Sequence, residues 1–349
     1  MHPTILPLIS LLLAFSCTAQ KAINIHSLTL GDGYTLVLLD SAQASHVLLQ
    51  DATDRFFERV TASEMSIQMK QPLAGQSRAE LLPAYRDYLR RDVASFAPEE
   101  SVMAAGVMQE IFNTCREVAS DIFPDTLILI KTKGGHYGKS VYYTRENTIV
   151  IPSDMLGMDM REAFFNTMFH ELFHVYSRLN PAKRARLYRL IGFEHIGLDR
   201  LQLPDSLAVR VLYNPDGVDF AQKISLKQAN GQSIDAIPVL YSNHLGYKPG
   251  KRTFFAYVEF NLYQIEPAEN GYWRVLTGPD GYSSTLNLRE LPDFFQQIKD
   301  NTGYIIHPDE VLADNFSFLM QGKRNPAFTA KFSEEGKKLL ADIEAVLKD

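Results

Sequence analysis

The stretch DMREAFFNTMFHELFHVYSR, Asp159 to Arg178, carries His170-Glu171-Leu172-Phe173-His174. Residues four apart on a helix lie one above the other on the same face, so His170 and His174 can turn two imidazoles toward one ion. Glu171 sits about 100° further round and can address a water beside that ion. Phe164, Phe165, Met168, Phe169, Leu172, Phe173, Val175 and Tyr176 make the segment apolar over most of its circumference, the signature of a buried helix. Thr167, His170, Glu171, His174 and Arg178 form one narrow polar stripe, and a carboxylate in such surroundings needs a partner. Asp159 with Glu162 fits a capping box at the start, and Asn180-Pro181 stops the helix.

The H-E-x-x-H spacing is that of zinc-dependent hydrolases, in which two His, one carboxylate and an open position make a catalytic rather than a structural set. A third imidazole at position 180, as in the metzincins, is excluded because the residue is Asn180. Two carboxylates can complete the set. Glu194, in Gly192-Phe193-Glu194-His195, has suitable spacing but a glycine-bracketed context. Glu310 lies in His307-Pro308-Asp309-Glu310-Val311-Leu312-Ala313-Asp314, which opens a helix with Pro308 at its first position. Glu310 and Asp314 are four apart, a like-charge pair that weakens an isolated helix. The cost is explained if Glu310 is the third ligand and Asp314 accepts a hydrogen bond from a ligating imidazole.

With these two motifs, His170-Glu171-x-x-His174 and Glu310-x-x-Ala313-Asp314, the chain resembles the gluzincin zinc metallopeptidases. The resemblance covers about a tenth of the chain and implies an α+β, zincin-like fold, with the active-site helix against a small sheet. It implies one zinc ion on His170, His174 and Glu310, Glu171 as general base, and a peptide or protein substrate. In such enzymes an edge strand ahead of the metal helix binds extended substrate, and Val141 to Tyr143 or Thr148 to Ile151 is expected to be that edge. Tyr241, His244 and Tyr247 are candidate oxyanion donors. Two other readings use the same residues: a catalytically silent zincin-fold binding protein, and a zinc hydrolase of a non-peptide amide.

The remaining chain supplies the frame. Its 349 residues are 46% hydrophobic and 22% charged, an ordinary globular composition. The net charge of −6 gives no nucleic-acid footprint, and the run Lys183, Arg184, Arg186, Arg189 reads as a solvated helix face. Ile5 to Phe15 is an apolar stretch too short to span a bilayer, followed by Ser16-Cys17-Thr18-Ala19. Residues 1–19 therefore read as a signal peptide cleaved after Ala19, or as a lipoprotein leader that would anchor the chain to a membrane through Cys17. Either places the protein outside the cytoplasm. Cys115 is then the sole thiol, a core residue rather than half of a disulfide.

Residues 20–124 are expected to form a hairpin around Gly31-Asp32-Gly33 and a helical layer from Ser45–Met69, Arg78–Phe96 and Glu100–Phe123. Residues 125–200 hold the strands and the metal helix. Turn punctuation between short apolar runs marks 201–290 as a β-rich insertion, and 291–349 return to helices carrying the third ligand.

Overall fold

The computed structural model describes residues 24–228, 230–251 and 253–349. The leader and Cys17 lie outside the described residues. The architecture is α+β, with two six-stranded sheets.

The first sheet is built from β1 (Ser27–Gly31), β2 (Tyr34–Leu38), β3 (Val93–Ala94), β4 (Thr126–Thr132), β5 (Tyr143–Arg145) and β6 (Thr148–Pro152). Its order is β1-β2-β4-β6-β5, with β3 added at the end of β4. β1 and β2 are the expected hairpin, turning at Asp32-Gly33, where both residues take the left-handed backbone that glycine and aspartate tolerate. β2, β4 and β6 run parallel, and β5 returns antiparallel to β6. Thr148 to Ile151 is thus internal, and the edge of the sheet is β5, with Val141 and Tyr142 leading into it. Part of that edge is already covered, because Asp216 accepts hydrogen bonds from the Thr144 backbone and hydroxyl at 2.6 and 2.7 Å.

The motif helix spans Arg161–Leu179. Leu127, Leu129, Ile149 and Ile151 on the sheet meet Phe165, Met168, Phe169, Leu172 and Val175 on the helix in one core. Phe169 is fully buried there, and Phe169→Ala should cost about 3–5 kcal/mol, read as a lowered urea midpoint at unchanged slope. The expected Asp159–Glu162 capping box does not form. A 3-10 turn, Met158–Met160, runs straight into the helix, and Met160 caps it without a side-chain hydrogen bond.

The expected Ser45–Met69 helix is three short ones, Ser41–Val47, Phe56–Arg59 and Ala62–Met69. The break has a local cause. The Asp51 carboxylate accepts from the Phe56 and Phe57 backbone at 2.7 and 2.6 Å, capping a new helix rather than continuing the old one, and Thr61 caps the third. Arg78–Asp92 and Pro98–Arg116 complete the helical layer.

The second sheet holds β7 (Phe193–His195), β8 (Leu201–Gln202), β9 (Gln222–Lys227), β10 (Ser233–Ser242), β11 (Val258–Pro267) and β12 (Trp273–Val275), in the order β7-β9-β10-β11-β12-β8. Its dominant feature is the β10–β11 pairing from Asp235↔Ile265 to Ser242↔Val258. After it come Pro308–Arg324, the carboxylate helix, packed beside the motif helix, and the amphipathic Glu334–Lys348.

Candidate metal centre

The candidate metal site lies where the motif and carboxylate helices run side by side. His170 and His174 project from one, Glu310 from the first turn of the other. Glu310 Oε2 lies 3.1 Å from His170 Nε2 and 3.3 Å from His174 Nε2. Ligand atoms of these three residues all fall within 4.8 Å of one another, so the group can hold a metal ion. A tetrahedral zinc with bonds of about 2.0–2.1 Å would set its ligand atoms roughly 3.3 Å apart, which these distances match.

Two orphaned atoms point the same way. His174 Nε2 and Glu171 Oε2 are buried and make no hydrogen bond, the first although Glu310 Oε2 lies 3.3 Å away, a costly state for polar groups. A cation at the convergence point would occupy the first and give the second a neighbour to work on.

The far side of each imidazole is held by a carboxylate. His170 Nδ1 is 2.9 Å from Asp314 Oδ1, as the i, i+4 spacing predicts. His174 Nδ1 is 2.7 Å from Asp309 Oδ2, and that aspartate was not anticipated. Asp309 is fixed in turn by the hydroxyls of Ser177 at 2.5 Å and Tyr188 at 2.8 Å. The signal was present in sequence, since an acid next to a ligand at a helix start can reach the imidazole its neighbour does not. Such outer partners set the ring tautomer, so Asp309→Ala should weaken zinc binding about 10–100-fold in a competition titration. The helix cap above it, His307, accepts from the Asp309 backbone at 3.1 Å.

Glu310 Oε1 is held by the Asn214 side-chain amide. Asn214 is positioned by Arg178, whose guanidinium donates to the Pro215 carbonyl and the Thr144 hydroxyl, both at 3.0 Å. The last member of the polar stripe thus ties the loop from the second sheet to β5 and to the third ligand. The Asn214-Pro215-Asp216-Gly217 run, read in sequence only as a turn, brings a further carboxylate, Asp216, to the cleft wall beside Glu171, Glu310 and Asp314.

Charge on the site is arranged for a cation. Burial opposes ionisation of Glu310, yet His174 and His170 hold its carboxyl well below the usual range. Burial also opposes protonation of His170, but its contacts with Asp314 and Glu310 carry it up to about 10. Burial, with the nearby charge of Asp216, pushes Glu171 up to about 8, the direction that makes a carboxylate a better base.

The other expected residues lie elsewhere. Glu194 is on β7, exposed and paired with Lys223 Nζ at 2.6 Å. Tyr241, His244 and Tyr247 do not line the metal cleft. Tyr241 packs against Tyr263 and Tyr282 within the second sheet. His244 and Tyr247 sit on the loop after β10, whose backbone is tied to Ser63 and Ser66. In their place the cleft, of about 490 Å³, presents Tyr142 and Tyr304 beside His170 and Glu171. The Tyr304 ring stacks on His170 with centroids 6.0 Å apart, and the Tyr142 hydroxyl is buried without a partner. Compared with models of protein families, with curated proteins and with solved structures, the chain matches none.

Proposed function

We propose that the protein is an exported zinc-dependent metallopeptidase that hydrolyses peptide bonds with Glu171 as general base. The observation that carries this reading is the unpartnered, buried Glu171 Oε2 next to three converging ligand side chains. When bound on His170, His174 and Glu310, zinc would supply Lewis-acid polarisation and bring the acidity of water toward neutral pH.

The chain's own residues account for the rest. Glu171 takes the proton of the attacking water as the new C–O bond forms, and hands it to the amide nitrogen as the C–N bond breaks, leaving a carboxylic acid and an amine. Tyr142 donates to the oxygen on which negative charge develops, a role suited to a buried hydroxyl that has no other partner. Tyr304 walls the cleft and holds the His170 ring. Val141 and Tyr142, running into β5, offer extended backbone for a substrate strand.

Tyr142→Phe should lower kcat by about 10²–10³-fold at unchanged metal content, the range for losing one oxyanion donor. Equal turnover in that variant would remove Tyr142 from the mechanism. The reading as a whole is tested by incubating the protein with a mixed peptide library. Cleavage abolished by a chelator and restored by zinc supports it. Cleavage insensitive to chelation contradicts it.

A further inference from the structure

A second cleft, of about 420 Å³, opens next to the metal cleft, and the two share Lys139, Val141 and Phe255 in their walls. Lys70, Lys133 and Lys251 join Lys139 in lining it, and no aspartate or glutamate does. In a chain of net charge −6 this concentration of one sign is unexpected. Among the described residues none of the four lysines has a carboxylate within 4.0 Å, although lysines elsewhere, such as Lys131 and Lys223, are paired.

Two of the four ammonium groups make hydrogen bonds among the described residues, and both use neutral partners. Lys133 donates to the Arg91 carbonyl at 2.8 Å, and Lys251 donates to Asn243 Oδ1 and the Ala256 carbonyl at 2.7 and 2.9 Å. Two acids that bond the loop carrying Lys133 and Lys139 are committed to other groups of that loop. Asp92 accepts from the Gly135 backbone and is 2.6 Å from His136 Nδ1. Asp154 accepts from the Ser140 backbone and hydroxyl at 3.2 and 2.8 Å. Like charges facing one cleft raise its potential and attract an anion.

The floor and rim identify the kind of anion. Tyr137, Tyr247, Phe254 and Tyr257 line the cleft, and Phe255, 58% exposed, stands at its junction with the metal cleft. Apolar rings between separated cations fit a chain that alternates carbon and carboxylate better than a small inorganic ion.

We propose that this cleft binds the acidic side chains of a peptide whose scissile bond lies at the metal centre. The proposal rests on the metallopeptidase reading for the fate of the peptide, but not for its binding. The substrate class is a peptide with aspartate or glutamate residues displaced to one side of the cleaved bond, in extended backbone passing Val141.

The test uses fluorescence anisotropy with the full-length Glu171→Gln protein and three labelled peptides of equal length, acidic, neutral and basic, each acetylated and amidated so that only side chains differ in charge. The acidic peptide should bind about tenfold or more tighter than the neutral one at low salt, with the difference shrinking as ionic strength rises. Lys70→Glu with Lys139→Glu, both at exposed positions, should erase that preference while leaving the melting temperature unchanged. Equal binding of the three peptides would overturn the proposal. So would a preference that survives the double charge reversal, or tighter binding of a single-stranded oligonucleotide than of the acidic peptide. Acidic-peptide binding without cleavage by the wild type would uphold the cleft and sink the peptidase reading. Cleavage without any charge preference would do the reverse.

Discussion

Glu171→Gln should abolish peptide hydrolysis while leaving the metal in place. Removing a general base typically costs 10²–10⁴-fold, and the amide neither accepts the water's proton nor returns one to the leaving nitrogen. The substitution keeps the volume of a buried side chain, so the fold should be undisturbed. Single-turnover rates on a cleaved library peptide, alongside elemental analysis, separate chemistry from metal loss. A variant that retains zinc and full activity would take Glu171 out of the reaction and leave its orphaned oxygen unexplained.

Glu310→Ala should act one level earlier. It removes the atom on which the two imidazoles converge and strands the Asn214 amide that now donates to it. Outer partners of ligating histidines are worth about 10–100-fold in metal affinity, so loss of a direct ligand should exceed about a hundredfold. Because metal binds the folded chain and not the unfolded one, the variant should also lose the thermal stabilisation that zinc gives the wild type. Glu194→Ala, which breaks an exposed ion pair with Lys223, should keep both metal content and melting temperature. If the two variants behaved the other way round, the third ligand would be misassigned.

Most of the centre was legible because it is written in helical spacing. The stripe from Thr167 to Arg178, the Glu310–Asp314 pair and Pro308 at a helix start are local patterns, and a helix converts local spacing into shared direction. The β hairpin at Asp32-Gly33 and the stop at Asn180-Pro181 follow equally local rules. What sequence spacing does not encode is which loop a fold brings to a cleft. Tyr241 and Tyr247 are candidate donors from the later segment by residue type alone, but β10 carries them toward the second sheet's own core and Ser66. Tyr142 lies in the stretch expected as an edge strand, but spacing does not say that its hydroxyl turns into the cleft, and Tyr304 lies in a loop without periodic signal that reaches the site because the carboxylate helix begins just after it. Asp216 appeared as turn punctuation, and only the tie from Arg178 shows why it lies at the cleft.

The central claim is that His170, His174 and Glu310 share one ion. The direct measurement is the metal content of the purified chain, wild type against the His170→Ala, His174→Ala double variant. We expect one zinc per wild-type chain and none in the double variant. A wild type that takes up no metal when zinc is supplied, or a double variant that holds as much, would contradict the account.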